Sequence, residues 1–201
     1  VRVVVLASGE GSNFEALVNK ARGYQILGLI SDKPKSGAVA KAIRLGIPYS
    51  ILENNLPELL GEAQPDLVVL AGFMKILKPE VVDNFKCINV HPSLLPKYPG
   101  LNTHKRALEA GDTEHGCTVH LVDHGVDTGP RIAQAKLAIT EGEAENSLQN
   151  KVKHLEHKLF PWVLNKIAAG DIYFEGKISD SKVCYSRGLN EEANSLGFIL
   201  L

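Results

Sequence analysis

Short, continuous apolar runs separated by helix-length spacers set the terms on which this chain can fold. Arg2–Leu6 (RVVVL), Gln25–Ser31 (QILGLIS), Tyr49–Leu52 and Asp66–Ala71 (DLVVLA) carry no polar face to present to water. Runs of this kind fit strands covered on both sides, as in a parallel sheet. The spacers have helical periodicity. Phe14, Leu17, Val18 and Ala21 share one side after the first run, and Val39, Ala42 and Ile43 point inward within Gly37–Leu45. Leu56–Glu62 and Pro79–Phe85 read as two further helices. Alternating β and α segments imply right-handed crossovers and a parallel sheet with helices on both faces.

The second half changes character. Gly116–Val122 and Arg131–Ile139 alternate polar with apolar residues and are expected to pair antiparallel. Thr103–Ala110 reads as a helix closed by Gly111. Ala144–Ala169 is the longest helix, with Leu148, Val152, Leu155, Leu159, Val163 and Ile167 in one stripe. Pro161 is expected to kink it and Gly170 to end it. Ile172–Ile178 reads as a last strand at an edge, and the polar segment from Ser179 to Leu201 carries no functional signal. The fold expected is α/β, a single-domain Rossmann-like open twisted sheet, mostly parallel, with antiparallel strands toward the C-terminal edge.

Composition narrows the function. At 201 residues and 44% hydrophobic the chain can build one full core. A net charge of −1 lacks the basic surplus of a nucleic-acid binder, so no nucleic-acid partner is expected. No apolar run is long enough to span a bilayer and the first residues lack a signal-peptide layout, so no membrane partner is expected. Val1 reads as a processed or excised end. Cys87, Cys117 and Cys184 have no paired spacing, which suits a reducing cytoplasm.

The stretch that points to chemistry is Cys87–Gly100, CINVHPSLLPKYPG. Cys87–His91 alternates like a strand, and Pro92 ends it. Asn89 and His91 then share a face with Cα atoms about 6.6 Å apart. An amide that can polarise an oxyanion beside an imidazole that can move a proton suits acyl transfer. The same residues also fit a buried pair that ties down the following turn. Cys87 reads as a small buried hydrophobe.

Other segments add candidates. Ala7–Asn13 is a glycine-rich turn between strand and helix, able to cradle an anion on free N–H groups, with Ser12 or Asn13 able to cap the helix. A dinucleotide fits it less well than a single phosphate, because Phe14 stands where a third glycine is wanted, although Asp32 ends the second strand. A plain tight turn is the competing reading. Gly72–Leu77 is apolar where a loop is expected, so it needs the core or a flat ligand as partner. Asp127 lies in the Asp123–Pro130 loop, where it serves either the turn or as the carboxylate that orients His91. Lys153 and Glu156 sit beside the helical stripe and read as a solvated ion pair. His154 and His157, and the scattered His115, Cys117, His120 and His124, lack metal-ligand spacing, so no metal is expected.

Six motifs occur in order: VVVLASGEGSN, LAGFMKIL, INVHPSLLPKYPG, GCTVH, the VDTGP loop and the EHKLFP helix segment. Together they resemble the phosphoribosylglycinamide formyltransferase family, which uses 10-formyltetrahydrofolate in purine biosynthesis. The likeness runs from Arg2 to Gly170. It implies a formyl transfer from 10-formyltetrahydrofolate to the primary amine of glycinamide ribonucleotide, two small-molecule partners, and a formyltransferase domain over residues 1–179 followed by a tail over 180–201. The resemblance implies catalytic roles for Asn89, His91 and Asp127. It places substrate contacts on Gly11, Ser12, Asn13, Lys153 and Glu156. It places the folate pocket on Met74, Lys75, Ile76 and Leu77, on Asn89, and on Asp123, His124, Gly125, Val126 and Asp127. The mechanism it suggests has Asp127 raise the His91 pKa so that imidazolium is available. Three departures stand out: Lys75 replaces a frequent arginine, Glu53–Gln64 is shortened, and Glu10 adds a negative charge to the phosphate loop. A hydrolase of the same folate, or a non-catalytic folate- or nucleotide-binding module, are the alternatives.

Overall fold

The structure, a computed structural model, describes residues 1–53, 55–176 and 181–201. Its first half alternates strictly: β1 (Arg2–Leu6), α1 (Ser12–Asn19), β2 (Gln25–Ser31), α2 (Gly37–Leu45), β3 (Tyr49–Ile51), α3 (Leu56–Ala63), β4 (Leu67–Leu70), α4 (Pro79–Asn84) and β5 (Cys87–His91). Then come α5 (Thr103–Glu109), β6 (Glu114–Leu121), β7 (Arg131–Ala138), α6 (Glu145–Ala169), β8 (Ile172–Glu175), β9 (Lys182–Tyr185), α7 (Leu189–Ser195) and β10 (Phe198–Leu200).

Eight of these strands form one sheet in the order β10-β7-β6-β5-β4-β1-β2-β3. Strands β1 to β5 pair parallel, as their two-sided burial requires. β6 joins β5 antiparallel, and β7 and β10 continue antiparallel from there. Two apolar layers cover the two faces. Phe14 and Leu17 of α1, Val39 and Ala42 of α2 and Leu148, Val152 and Leu159 of α6 pack on one side with Val3, Val5, Ile88 and Val90. Leu56 and Leu60 of α3 and Val81 and Val82 of α4 pack on the other with Val4, Leu6, Val68 and Cys87. The expected fold is therefore the observed one.

Several local expectations change. Ile43 is exposed rather than inward, and Ala38, Val39 and Ala42 make the buried face of α2. Neither Ser12 nor Asn13 caps α1. Gly11 takes the N-cap in the left-handed region at φ 73°, and no side chain bonds the helix end. Pro161 does not interrupt α6. Proline has no N–H to give the carbonyl one turn back, and that carbonyl, of His157, accepts from Lys20 Nζ at 2.7 Å instead.

The last expected strand ends earlier, at Glu175, and Ile178 lies outside the described residues. β8 does not join the large sheet; it pairs with β9 in a separate two-stranded one. The edge beside β7 is taken by β10. The expected boundary between residues 179 and 180 also lies outside the described residues. Beyond it the chain packs on the domain. Phe198 is buried, with its ring 5.2 Å from that of Trp162 on α6. The Tyr185 hydroxyl lies 2.7 Å from the carbonyls of both Ile132 and Leu201.

Phe198→Ala is expected to lower the unfolding free energy by about 3–5 kcal/mol, the range for a buried phenylalanine. Urea denaturation followed by the single tryptophan reads this out. A loss under about 1 kcal/mol, the size of an ordinary surface change, would place the C-terminal segment outside the cooperative unit.

Candidate active site

A cleft of about 600 Å³ opens at the C-terminal ends of β4 and β5. There the crossover of β1 goes to one face of the sheet and that of β4 to the other, the place where open α/β sheets leave a crevice. Ile88 and Val90 anchor β5 in the core, so the strand period turns Asn89 and His91 to the opposite side. Both line the cleft.

His91 is buried, and both its ring nitrogens are engaged. Nε2 lies 2.8 Å from the Tyr98 carbonyl. A carbonyl only accepts, so Nε2 carries a proton and donates. Nδ1 lies 3.2 Å from Asp127 Oδ2. The same Oδ2 accepts from the Gly100 amide at 2.8 Å. Asp127 holds this position at φ 57°, in the left-handed region that Asp tolerates better than most residues. The structure thus brings the three expected catalytic side chains together.

A fourth member went unread in the sequence. His120 faces Asn89 across the β5–β6 pairing. Its Nδ1 lies 2.8 Å from the Leu121 carbonyl and so carries the proton. In the neutral ring Nε2 then accepts from Asn89 Nδ2 at 3.3 Å. That contact uses one amide N–H of Asn89 and leaves the other for the cleft. The alternation of GCTVH gave the signal for His120, but nothing in it names the cross-strand neighbour.

The electrostatics correct one expectation. His91 is lowered, not raised, from the usual histidine pKa. Burial is the larger cause, and the Tyr98 carbonyl and Asp127 oppose it without prevailing. Neutral imidazole is therefore the resting form near neutral pH. Burial by itself would raise Asp127, but His120 3.6 Å away, the Gly100 hydrogen bond and the nearby His91 ring hold it below the ordinary aspartate value. Behind this centre His104 Nδ1 and His115 Nε2 meet at 3.1 Å, with His104 in the cleft wall. Burial, with His104 beside it, pushes His115 down to about 4.

Farther along the cleft, Asn13 Nδ2 donates to Glu156 Oε2 at 2.8 Å. Burial pushes the Glu156 carboxyl up to about 7, against the Asn13 hydrogen bond and Lys153. Glu156 thus departs from the solvated ion-pair reading: it points inward while Lys153 bonds Glu10 at 3.1 Å. Asn13 Oδ1 is buried with no partner among the described residues. Gly11 and Ser12 do not belong to the lining. A Cβ on Gly11 would sit 2.5 Å from the Ala38 Cα, so helix packing as well as φ demands glycine there.

At the mouth, Met74 is 62% and Ile76 79% exposed, while Leu77 is buried. All three line the cleft together with Lys75, Asp123, Gly125 and Val126. Asp123 caps its own loop, accepting from the Gly125 amide at 3.0 Å and the Thr128 hydroxyl at 2.8 Å. Of the expected folate-pocket residues Asp123 to Asp127, His124 is the one outside the lining, with Nε2 3.0 Å from Asp83 Oδ1. Cys87 is buried, which pushes its thiol up to about 12 and makes it inert. Among the described residues, no three His, Cys, Asp or Glu side chains are grouped to hold a metal ion.

Two pH effects follow. In an NMR titration His91 is expected to titrate below 6.5, and lower still in Asp127→Asn, which loses an attraction that favours the charged ring. A wild-type value above 6.5 would contradict burial as the controlling cause. His115 takes up its proton near 6.5 when unfolded but near 4 when folded. The unfolded state binds more protons between those values, so stability is intact above about 6.5 and declines as pH falls toward 4. Urea midpoints from pH 7 to pH 4 should fall less steeply in His115→Gln.

The formyl transferase family model matches residues 1–164. Phosphoribosylglycinamide formyltransferase of Escherichia coli K12 is 40% identical over 187 residues, 85% of this chain and 88% of that protein. The human trifunctional purine biosynthetic protein adenosine-3 is 39% identical over 92% of this chain, which spans 20% of that protein. This chain spans 14% of the corresponding protein of Drosophila pseudoobscura pseudoobscura. A crystal structure of phosphoribosylglycinamide formyltransferase from Anaplasma phagocytophilum superposes with a TM-score of 0.85 at 35% identity, covering 93% of this chain and 94% of that one. Among the described residues, no helix is long and apolar enough to cross a membrane. Fold, cleft and relatives agree, and the chain belongs to the formyl transferase family.

Proposed function

We propose that this protein transfers a formyl group from 10-formyltetrahydrofolate to the primary amine of glycinamide ribonucleotide. The observation that carries the reading is the convergence of Asn89, His91 and Asp127 in one cleft that continues to Asn13, Lys153 and Glu156. The mouth suits the folate: Met74, Ile76 and Val126 offer apolar surface to a flat heterocycle, and Asp123 and Asp127 offer polar edges. When bound, the folate supplies an activated formyl carbon and a nitrogen leaving group. The phosphate of the ribotide is assigned to the α1 turn at Gly11, Ser12 and Asn13, with Lys153 adding charge. Glu156 holds the other end of the ribotide.

The chain's own groups then act in sequence. Neutral His91, with Nε2–H committed to the Tyr98 carbonyl, presents Nδ1 as the site of proton exchange. As the amine forms its bond to the formyl carbon, its proton passes to Nδ1, where Asp127 stabilises the imidazolium. The free N–H of Asn89, held by His120 through the other, donates to the developing oxyanion. Nδ1 returns the proton to the folate nitrogen as the old carbon–nitrogen bond breaks. Protons balance, and no covalent bond to the protein is made.

Incubating the protein with 10-formyltetrahydrofolate, with and without glycinamide ribonucleotide, and following folate deformylation tests the reading. Turnover is expected only with the ribotide, and formate release without it would favour a hydrolase. Asn89→Ala should lower kcat by about 100- to 1,000-fold, the usual cost of one oxyanion donor. His91→Ala is expected to lose about 100- to 10,000-fold, the range for a positioned acid–base group. Near wild-type turnover in either variant would remove that side chain from its role.

A further inference from the structure

The loop that opens α1 carries its own anion. Glu10 sits one residue before the N-cap Gly11, and its Oε2 lies 3.1 Å from Lys153 Nζ. Lys153 lines the cleft, and its side chain is 34% exposed. It is the cation to which the proposed function assigns the ligand phosphate. No side chain caps α1, so its first N–H groups are left without a side-chain acceptor. We infer that Glu10 acts as an internal counter-anion, occupying Lys153 until the phosphate of a phosphate monoester displaces it, and so sets the affinity of that subsite.

The build of the loop suits this role. The backbone at Glu10 is fixed on both sides. Its carbonyl accepts from Lys41 Nζ at 2.9 Å, and Gly37 packs so closely that a Cβ there would lie 2.7 Å from the Glu10 oxygen. Gly9 accepts from the Ala38 amide at 3.1 Å. The Glu10 side chain, by contrast, is 81% exposed. Only its torsions need change for the carboxylate to leave, on the fast timescale of exposed rotamers. The neighbouring charges leave Lys153 as its partner: Lys41 is shared with Glu15, and Arg44 is bonded to Glu15. Lys153 also holds Glu10 below the ordinary glutamate pKa, so the counter-anion stays ionised at neutral pH.

An exposed pair of this kind is weak, so the carboxylate is displaceable. A phosphate monoester carries nearly two charges at neutral pH and outcompetes it; a monoanion does not. Glu10 therefore lowers the affinity of the subsite for any anion by the cost of opening its pair with Lys153, and a phosphate binds strongly enough to meet that cost where a monoanion does not. The inference rests on the proposed assignment of phosphate to this turn and adds an affinity-determining residue to it.

The test is a double-mutant cycle in ribose 5-phosphate and acetate binding by calorimetry at pH 7.5, with wild type, Glu10→Gln, Lys153→Ala and the double variant. Glu10→Gln should tighten ribose 5-phosphate binding by about 2- to 5-fold, the scale of an exposed ion pair. Acetate should gain by no more than the same factor, and the ribose 5-phosphate gain should shrink by at least half without Lys153, because the two residues act through one pair. In turnover the change should fall in KM for the ribotide rather than in kcat. Unchanged or weaker binding in Glu10→Gln overturns the inference, as does an equal gain in the Lys153→Ala background. Absence of ribose 5-phosphate binding in all four proteins overturns it too. Ribotide-dependent formyl transfer is measured on the same wild-type sample. Turnover without the Glu10 effect sinks the counter-anion and leaves the proposed function standing, whereas absent turnover sinks the function itself.

Discussion

The Asp127 carboxylate is where separate parts of the chain are tied to one another. One oxygen takes the Gly100 amide and faces His91 Nδ1, and the other lies 3.6 Å from His120. The loop after β5, the end of β5, the strand β6 and the loop before β7 all meet at this one group. A carboxylate accepting from the backbone and beside two rings is well satisfied, and it stays ionised despite its burial. Its charge lies where a protonated His91 ring would be favoured, 3.2 Å from Nδ1.

The cost of that arrangement is visible around it. His91, His104 and His115 are all held below the usual histidine pKa by burial. A centre of neutral imidazoles suits a base that must accept a proton before giving it back. It also makes the same wall sensitive to acid, because protonating a buried ring means bringing a charge out of water. Glu156 has the opposite bias: burial keeps its carboxyl protonated to higher pH. Glu10, outside in water, remains charged. These two acids on either side of Lys153 thus differ in their readiness to ionise because they differ in burial.

The architecture was legible from pattern. RVVVL and DLVVLA can only be strands covered on both faces, and the helical spacers between them fix a parallel sheet with its crevice at the C-terminal ends. Asn89 and His91 were legible for the same reason, since a strand period of two puts them on one face. Pattern failed where the outcome depended on competition between neighbours. Ile43 reads as inward by period, yet Ala38, Val39 and Ala42 make the buried face of α2. Ser12 reads as a cap, yet Gly11, pressed against Ala38, takes that place. The segment from Ser179 to Leu201 reads as a polar tail, yet Phe198 and Tyr185 fasten its described part to α6 and β7.

The order of apolar and polar residues by itself determined the layers, the strand directions in the first half and the crevice, because burial and backbone hydrogen bonding act on local pattern. Only the tertiary structure decided what faces the crevice and in which charge state. The proton on His91, the amide orientation of Asn89, the inward Glu156 and the pairing of Lys153 with Glu10 all depend on contacts between residues far apart in the chain. Such contacts, and the desolvation that accompanies them, exist only once the chain has closed on itself.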